Sequence, residues 1–131
     1  MSKTFTHKVK VYYEDTDVGG VVYYANFLKF MERSRTEMIY QQLNLNHNSL
    51  KNDFDCVFVV KSCNIKYLKP AKFEDELLIT AKILKKSFVR VILLQEVKKK
   101  DEILVTAQIE LAITDNNGKV KKLPENLYKK L

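Results

Sequence analysis

The sequence predicts an α+β fold in which one long helix packs against an antiparallel sheet of about five strands. Residues 5–13 alternate between apolar and polar side chains, as a half-buried strand does, and residues 24–45 then change to helical spacing. Strand patterns return at 56–67, 76–85, 88–98 and 103–114. Since the chain offers no second long helix, the apolar stripe of this helix must be covered by the sheet.

The helix is predicted from its apolar stripe and from its solvent-facing charges. Phe27, Met31 and Met38 recur at helical spacing, and Arg33 and Glu37 form an i, i+4 pair on the opposite side. The polar stretch 44–53 that follows is interpreted as a loop, which contains His47.

The last strand has the clearest pattern, because apolar residues occupy every second position from Ile103 to Ile113. Such alternation favours an antiparallel sheet with one buried and one partly solvated face. The links at 85–87 and 99–101 are short enough for hairpins, and Asn-Asn-Gly at 116–118 predicts a further turn.

The composition predicts one globular domain spanning residues 1–131, with 46% hydrophobic and 30% charged residues. No apolar run approaches the length of a spanning helix, so we expect a cytoplasmic protein without an integral membrane segment. Cys56 and Cys63 lie on one predicted strand, where a mutual bridge is unfavourable, and are interpreted as reduced packing thiols.

The net charge of +7 favours an anionic partner: a nucleic acid, a lipid surface or a phosphorylated small molecule. A basic nucleic-acid-binding module is therefore one competing hypothesis. The chain has no aromatic-basic RNA-binding signature, and its aromatic residues are scattered. We accordingly expect no nucleic-acid partner.

The segment YYEDTDVGGVVYYANF, residues 12–27, concentrates the groups that suit acyl transfer. Asp15 and Asp17 lie at a turn beside valines, where partial desolvation could prepare one carboxylate for base or nucleophile work. Unpaired backbone NH groups near Tyr23 and Tyr24, at the helix start, could polarise a carbonyl oxygen. The glycines let a substrate approach the backbone.

The acidic turn has two other interpretations. Asp15 and Thr16 could be turn and capping residues only. The acidic spacing also suggests a calcium loop, but the twelfth position from Asp15 is Asn26 where a glutamate is required. We therefore predict no metal site.

The segment 12–27 and two later segments resemble those of a known family. The residues that carry the likeness are Tyr13, Asp15, Thr16, Asp17, Gly20, Val22 and Tyr23, followed by similar segments at 32–38 and 62–77. They resemble the 4-hydroxybenzoyl-CoA thioesterase family, and most of all its bacterial branch of acyl-CoA thioesterases associated with the Tol-Pal envelope system.

The resemblance implies a hotdog fold, in which a sheet wraps one central helix, and a homodimer or a dimer of dimers. It implies hydrolysis of acyl-CoA in lipid metabolism, without a cofactor, in the cytoplasm or at the inner membrane face. The carrier would be coenzyme A or an acyl carrier protein.

The resemblance also implies residue roles. Asp17 would be the catalytic nucleophile or general base, the backbone NH of Tyr24 would polarise the carbonyl, and the hydroxyl of Tyr13 would help shape the site. Many members of this branch carry histidine at the position of Tyr24, so a histidine-assisted mechanism is not expected here.

Substrate-binding residues follow from the same likeness. Gly20, Val22, Tyr23 and Ser62 would line the site, while Lys85, Lys86 and Arg90 would meet the nucleotide phosphates. The alternative is that these cations only solvate a strand end.

A hotdog dehydratase acting on acyl thioesters is the remaining alternative. Such enzymes generally use a histidine at the start of the helix, where this chain has Asp17 and no histidine. Hydrolysis is therefore preferred.

Overall fold

The computed structural model describes residues 3–131 and contains a five-stranded antiparallel sheet curved around one long helix. In chain order the elements are β1 (Thr4–Lys10), α1 (Asn26–Leu43), α2 (His47–Phe54), β2 (Val57–Tyr67), β3 (Glu76–Lys86), β4 (Arg90–Lys99), β5 (Glu102–Thr114) and α3 (Glu125–Tyr128). The strand order is β1-β3-β4-β5-β2, with every neighbouring pair antiparallel. The predicted α+β class, with one long helix against about five strands, is confirmed.

The first strand is shorter than predicted. β1 ends at Lys10, and the chain turns through a single 3₁₀ turn at Tyr13–Asp15. Phe5 and Val9 do face the core, but Tyr13, predicted on the same face, is 80% exposed. The turn forms because the carboxylate of Asp15 accepts a hydrogen bond from the NH of Tyr12, which stops the strand pairing.

The long helix α1 buries the predicted stripe. Its buried residues are Phe27, Phe30, Met31, Ser34, Met38, Ile39 and Leu43. Two polar contacts fix the helix to the sheet: Ser34 Oγ donates to the Ile79 carbonyl at 3.3 Å, and Gln95 Nε2 donates to the Met31 carbonyl at 2.9 Å. The helix begins at Asn26, two residues later than predicted, and ends before Asn44, whose φ is 53°.

The stretch interpreted as a loop is largely the helix α2, so that interpretation was wrong. Asn46 caps this helix by accepting a 2.8 Å hydrogen bond from the NH of Ser49, and Leu50 is buried under it. His47 is the first residue of α2, with its ring between Tyr40 and Phe58 at 5.3 and 6.4 Å. A short helix with few apolar residues carries little periodic signal, which explains the miss.

The sheet is not evenly covered by the helix. α1 packs over β1, β3 and β4, whereas the inner face of the edge strand β2 remains open. Val60 and Tyr67 on that face are 50% and 43% exposed. The inner face of β2 is therefore uncovered beside α1, and at the N-terminal end of the helix it opens into a cleft lined by Phe27 and Tyr67.

The hairpin between β3 and β4 is held by the C-terminal segment. Lys86 Nζ donates to the carbonyls of Tyr128 and Leu131 at 2.9 and 2.7 Å, and the ring of Tyr128 stacks on Phe88 at 4.2 Å. The predicted turn at 116–118 is present, with a φ of 86° at Gly118.

The cysteines are both free thiols, as predicted. Cys56 is buried, in agreement with a packing role, whereas Cys63 is exposed on β2. No helix among residues 3–131 is long and apolar enough to cross a membrane. The single domain predicted over 1–131 stays a prediction, and residues 1 and 2 lie outside the described range.

We expect Phe30→Ala to lower the free energy of unfolding by about 3 to 5 kcal/mol, because Phe30 is 1% exposed and its loss leaves a cavity under α1. Leu28→Ala, two residues away and 43% exposed, is the matched control and should cost less than about 1 kcal/mol. Urea unfolding followed by circular dichroism measures both, and equal losses would contradict the packing described above.

Candidate active site

The acidic turn and the start of α1 form one small hydrogen-bonded ribbon. The NH of Asp17 donates to the Val21 carbonyl and the NH of Tyr23 to the Asp15 carbonyl, each at 2.9 Å. Gly20 reverses the chain between them with a φ of 79°, a conformation that disfavours other residues. Residues 15–17 therefore lie antiparallel to 21–23, and Tyr24 follows immediately.

The carboxylate of Asp17 is presented at the tip of this ribbon. Its Oδ1 accepts a 2.8 Å hydrogen bond from the NH of Gly19, and a Cβ on Gly19 would lie 3.2 Å from the same oxygen. Asp17 is exposed, and the neighbouring Val18 is fully exposed. Of the two acids that were expected to lie beside valines, only Asp15 is buried, and the carboxylate of Asp17 remains uncovered in a single chain.

Asp15 is the buried acid of the pair. Its two carboxylate oxygens accept hydrogen bonds from the NH of Tyr12 at 2.8 Å and from Nδ2 of Asn26 at 2.6 Å. The turn-and-capping interpretation thus describes Asp15, while Asp17 is left free to act. Asn26 was not singled out from the sequence, although a polar side chain at a helix start beside an acidic turn is a usable signal.

The start of α1 offers unpaired NH groups at Tyr24 and Ala25, whereas the NH of Tyr23, also expected to be free, donates to the Asp15 carbonyl. Among the hydrogen bonds of residues 3–131, none has the NH of Tyr24 or Ala25 as its donor. Both NH groups precede the first turn of α1, at the positive end of the helix dipole. They can therefore stabilise an oxygen that gains negative charge.

An aromatic wall, formed by Tyr24, Phe27 and Tyr67, stands beside these NH groups. The ring of Tyr67 lies 5.9 Å from Tyr24, edge to face, and 6.0 Å from Phe27. Burial raises the pKa of the Tyr67 phenol, and Cys63 and Tyr24 act in the same direction. A cleft of about 280 Å³ opens here, with Val22 and Leu68 among its lining residues. Sequence reasoning missed Tyr67, which only the pairing of β2 places here.

Tyr13 lies on the other side of Asp17. It packs against Phe73 with ring centroids 5.5 Å apart, and both rings line a cleft of about 610 Å³ together with Asp17 and Gly20. Phe73 was not predicted. Of the predicted site residues, this chain brings together Tyr13, Asp17, Gly20, Val22, Tyr23 and Tyr24.

The predicted phosphate-binding cations lie elsewhere. β3 begins beside the end of β1, near Asp17, and Lys85 and Lys86 are at its far end, about 33 Å along the strand. Lys86 is bound to the C-terminal segment, and Arg90 Nε pairs with Glu110 at 2.8 Å. Lys85 lines a cleft of about 620 Å³ with Lys3 and Lys130.

Ser62 is also remote from Asp17 within the chain. It pairs in register with Glu110, and its hydroxyl donates to that carboxylate at 3.2 Å. Since Ile109 and Leu111 on either side of Glu110 face the core, Ser62 lies on the outer face of the sheet. Within residues 3–131, no group of three or more His, Cys, Asp or Glu side chains could hold a metal ion.

Comparison with known proteins agrees with this fold. Residues 19–106 match the model of the thioesterase superfamily. The chain is 37% identical over 117 residues to the acyl-CoA thioesterase YbgC of Haemophilus influenzae, covering 89% of this chain and 85% of that one.

Solved structures show the same architecture. A probable thioesterase from Bartonella henselae superimposes with a TM-score of 0.86 at 30% identity, covering 93% of this chain and 100% of the other. A 1,4-dihydroxy-2-naphthoyl-CoA thioesterase from Synechocystis gives 0.84 at 25% identity, covering 97% and 93%.

The fold is therefore the hotdog fold, as the resemblance implied. The chain belongs to the thioesterase superfamily and is a thioester hydrolase.

Replacing Asp15 should lower the stability of the fold, because Asp15 anchors the ribbon. We expect Asp15→Ala to cost about 2 to 4 kcal/mol, since it leaves the NH of Tyr12 and the amide of Asn26 without their acceptor. Glu14→Ala, an exposed neighbouring acid, should change stability by less than about 0.5 kcal/mol. Urea unfolding at neutral pH compares them, and a cost for Asp15→Ala as small as the control's would refute this anchoring role.

Proposed function

We propose that this protein hydrolyses acyl-CoA thioesters to a free carboxylic acid and coenzyme A, with the Asp17 carboxylate acting at the thioester carbon. The observation that supports it most directly is the hydrogen-bonded ribbon that carries Asp17 and ends at the unpaired NH groups of Tyr24 and Ala25. The acyl-CoA substrate is taken from the printed name of the Haemophilus relative.

Catalysis depends on two groups, the backbone NH of Tyr24 and the carboxylate of Asp17. The thioester oxygen accepts hydrogen bonds from the NH of Tyr24, so that negative charge developing on it is stabilised. In one route Asp17 attacks the carbonyl carbon and expels the coenzyme A thiolate, and water then cleaves the resulting anhydride. In the other route Asp17 removes a proton from a water that attacks the same carbon; the carbon–sulfur bond breaks, and the thiolate leaves and takes up the proton. Both routes need an ionised carboxylate at Asp17.

The neighbouring residues position the substrate. Gly20 lets the pantetheine arm approach the ribbon, and Val22 and Tyr23 lie beside the carbonyl position. The hydroxyl of Tyr13 closes the opposite side of Asp17.

Assembly would bring the nucleotide-binding cations to the site. The separation between Asp17 and Lys85 along β3 favours phosphate contacts from the hairpin of a second copy. The sheet ends in two open edge strands, β1 and β2, which suits a homodimer and a homotetramer built from dimers. The basic surface would serve an acidic carrier protein equally. A cytoplasmic, Tol-Pal-associated role in lipid metabolism, at the inner membrane face, is proposed from the family resemblance.

We expect Asp17→Asn to reduce kcat for acyl-CoA hydrolysis by at least about a thousandfold, because the amide keeps the size and removes the charge needed for either route. Glu14→Gln, the matched control, should retain wild-type kcat. Thiol release with acyl-CoAs of several lengths measures the rate. Equal rates for wild type and Asp17→Asn would contradict the proposal, as would hydration of an enoyl-CoA without thiol release.

Raising salt from about 0.05 to 0.5 M should increase KM severalfold while kcat stays constant, since phosphate contacts of coenzyme A are screened. Lys85→Gln should raise KM at low salt and flatten this dependence, whereas Lys119→Gln, on an exposed turn, should do neither. A KM independent of salt in the wild-type protein would rule out electrostatic capture.

A further inference from the structure

Arg35 lies on α1 beside the uncovered inner face of β2, near Cys63. It is half-buried, and its Nη1 donates to Oε1 of Gln95 at 3.3 Å. Gln95 is completely buried and is itself held by the carbonyls of Met31 and Thr80, at 2.9 and 3.4 Å. The core therefore fixes the direction in which the guanidinium points.

The charge of Arg35 has no anionic partner in the described part of the chain. No carboxylate among residues 3–131 lies within 4 Å of its guanidinium. Glu32, about one turn earlier on α1, is exposed and accepts a 2.8 Å hydrogen bond from the hydroxyl of Thr36. Burial lowers the pKa of Arg35, while Glu32 and Cys63 oppose that effect. A partly desolvated cation without a counter-charge is unfavourable, so the guanidinium offers a ready site for an anion.

The register of the sheet places this cation relative to the aromatic wall. Gln95 pairs with Ala107, and Ala107 pairs with Ile65, so the contact between Arg35 and Gln95 lies level with Ile65. Ile65 is two residues before Tyr67 on β2, about 7 Å along the strand. Along α1, Arg35 follows Phe27 by two turns, about 12 Å. The cation therefore stands about 7 to 12 Å beyond the aromatic wall, measured along α1 and β2.

We propose that Arg35 determines acyl specificity by binding the distal carboxylate of a medium-chain dicarboxylic acyl group, whose thioester lies between Asp17 and the NH of Tyr24. With carbon–carbon bonds of about 1.5 Å in an extended chain, this spacing fits an acyl group of about eight to ten carbons. The methylene chain would lie on Phe27, Tyr67 and Ile65, which are apolar, and only its far end would meet a charge. This inference rests on the proposed thioesterase function and specifies its substrate.

The test compares substrates that differ only at the far end. We would measure kcat/KM for suberyl-CoA and sebacyl-CoA, each with one thioester, beside octanoyl-CoA and decanoyl-CoA. The wild-type protein should prefer the dicarboxylic substrates by about 10- to 100-fold, the range for a charge-assisted hydrogen bond. Arg35→Met should abolish that preference and leave hydrolysis of decanoyl-CoA within about threefold of wild type. Arg35→Lys should retain part of it, and Arg33→Met, on the solvent face of the same helix, should retain all of it.

A second measurement does not depend on turnover. Isothermal titration with a non-hydrolysable thioether of coenzyme A that carries a terminal carboxylate should give weaker binding for Arg35→Met by the same factor. The methyl-terminated thioether should bind both proteins equally.

The outcomes separate this inference from the proposed function. Loss of all hydrolysis in Asp17→Asn together with no preference for dicarboxylic substrates would overturn the role of Arg35 alone. Wild-type rates in Asp17→Asn would overturn the thioesterase mechanism, while the titration would still decide the role of Arg35. If Arg35→Met lowers the assembled mass in sedimentation, its partner is a carboxylate of a second copy and the proposal is wrong.

Discussion

The carboxylate of Asp15 joins the end of β1 to the start of α1, and the geometry of the site depends on that connection. One oxygen holds the NH of Tyr12, where the chain leaves the sheet, and the other holds the side chain of Asn26, the first residue of the helix. The NH of Tyr23 also donates to the Asp15 carbonyl. Because β1 and α1 are both packed in the core, the short ribbon between them is held in place. Its tip therefore carries Asp17 at a fixed position beside the helix N-terminus.

The connection also explains why two neighbouring acids behave differently. Asp15 is buried and has its hydrogen-bonding capacity used by the fold, whereas Asp17 is exposed and accepts only the NH of Gly19. A Cβ on Gly19 would lie 3.2 Å from the same carboxylate oxygen, so a larger residue there would require a small shift of the Asp17 side chain. A buried acid with a structural role and an exposed acid thus occupy positions two residues apart.

Local patterns account for most of the architecture that could be predicted. Alternation along β5 and helical spacing from Phe27 to Met38 gave the correct class, because burial on one face leaves a regular trace in the sequence. The ribbon from Asp15 to Tyr24 was found for the same reason: all its groups lie within ten positions. The helix α2 was not predicted, because a capping Asn46 and one buried Leu50 suffice to form it. Tyr67 and Arg35 were also not predicted as site residues. The position of Tyr67 follows from the strand register and that of Arg35 from its contact with the buried Gln95, and no local sequence pattern encodes either.

This division between local and long-range contacts has a functional consequence. The groups proposed for bond cleavage belong to one continuous segment, while those proposed to select the acyl group come from α1 and from the edge strand β2. Since α1 leaves the inner face of β2 uncovered, substitutions there change the cleft without removing core packing. Arg35 is the exception, because its direction is set by Gln95 in the centre of the sheet. A change of acyl charge is therefore more constrained than a change of acyl shape. An apolar residue in place of Arg35 would leave Oε1 of the buried Gln95 without its donor, because the carbonyls of Met31 and Thr80 contact only Nε2.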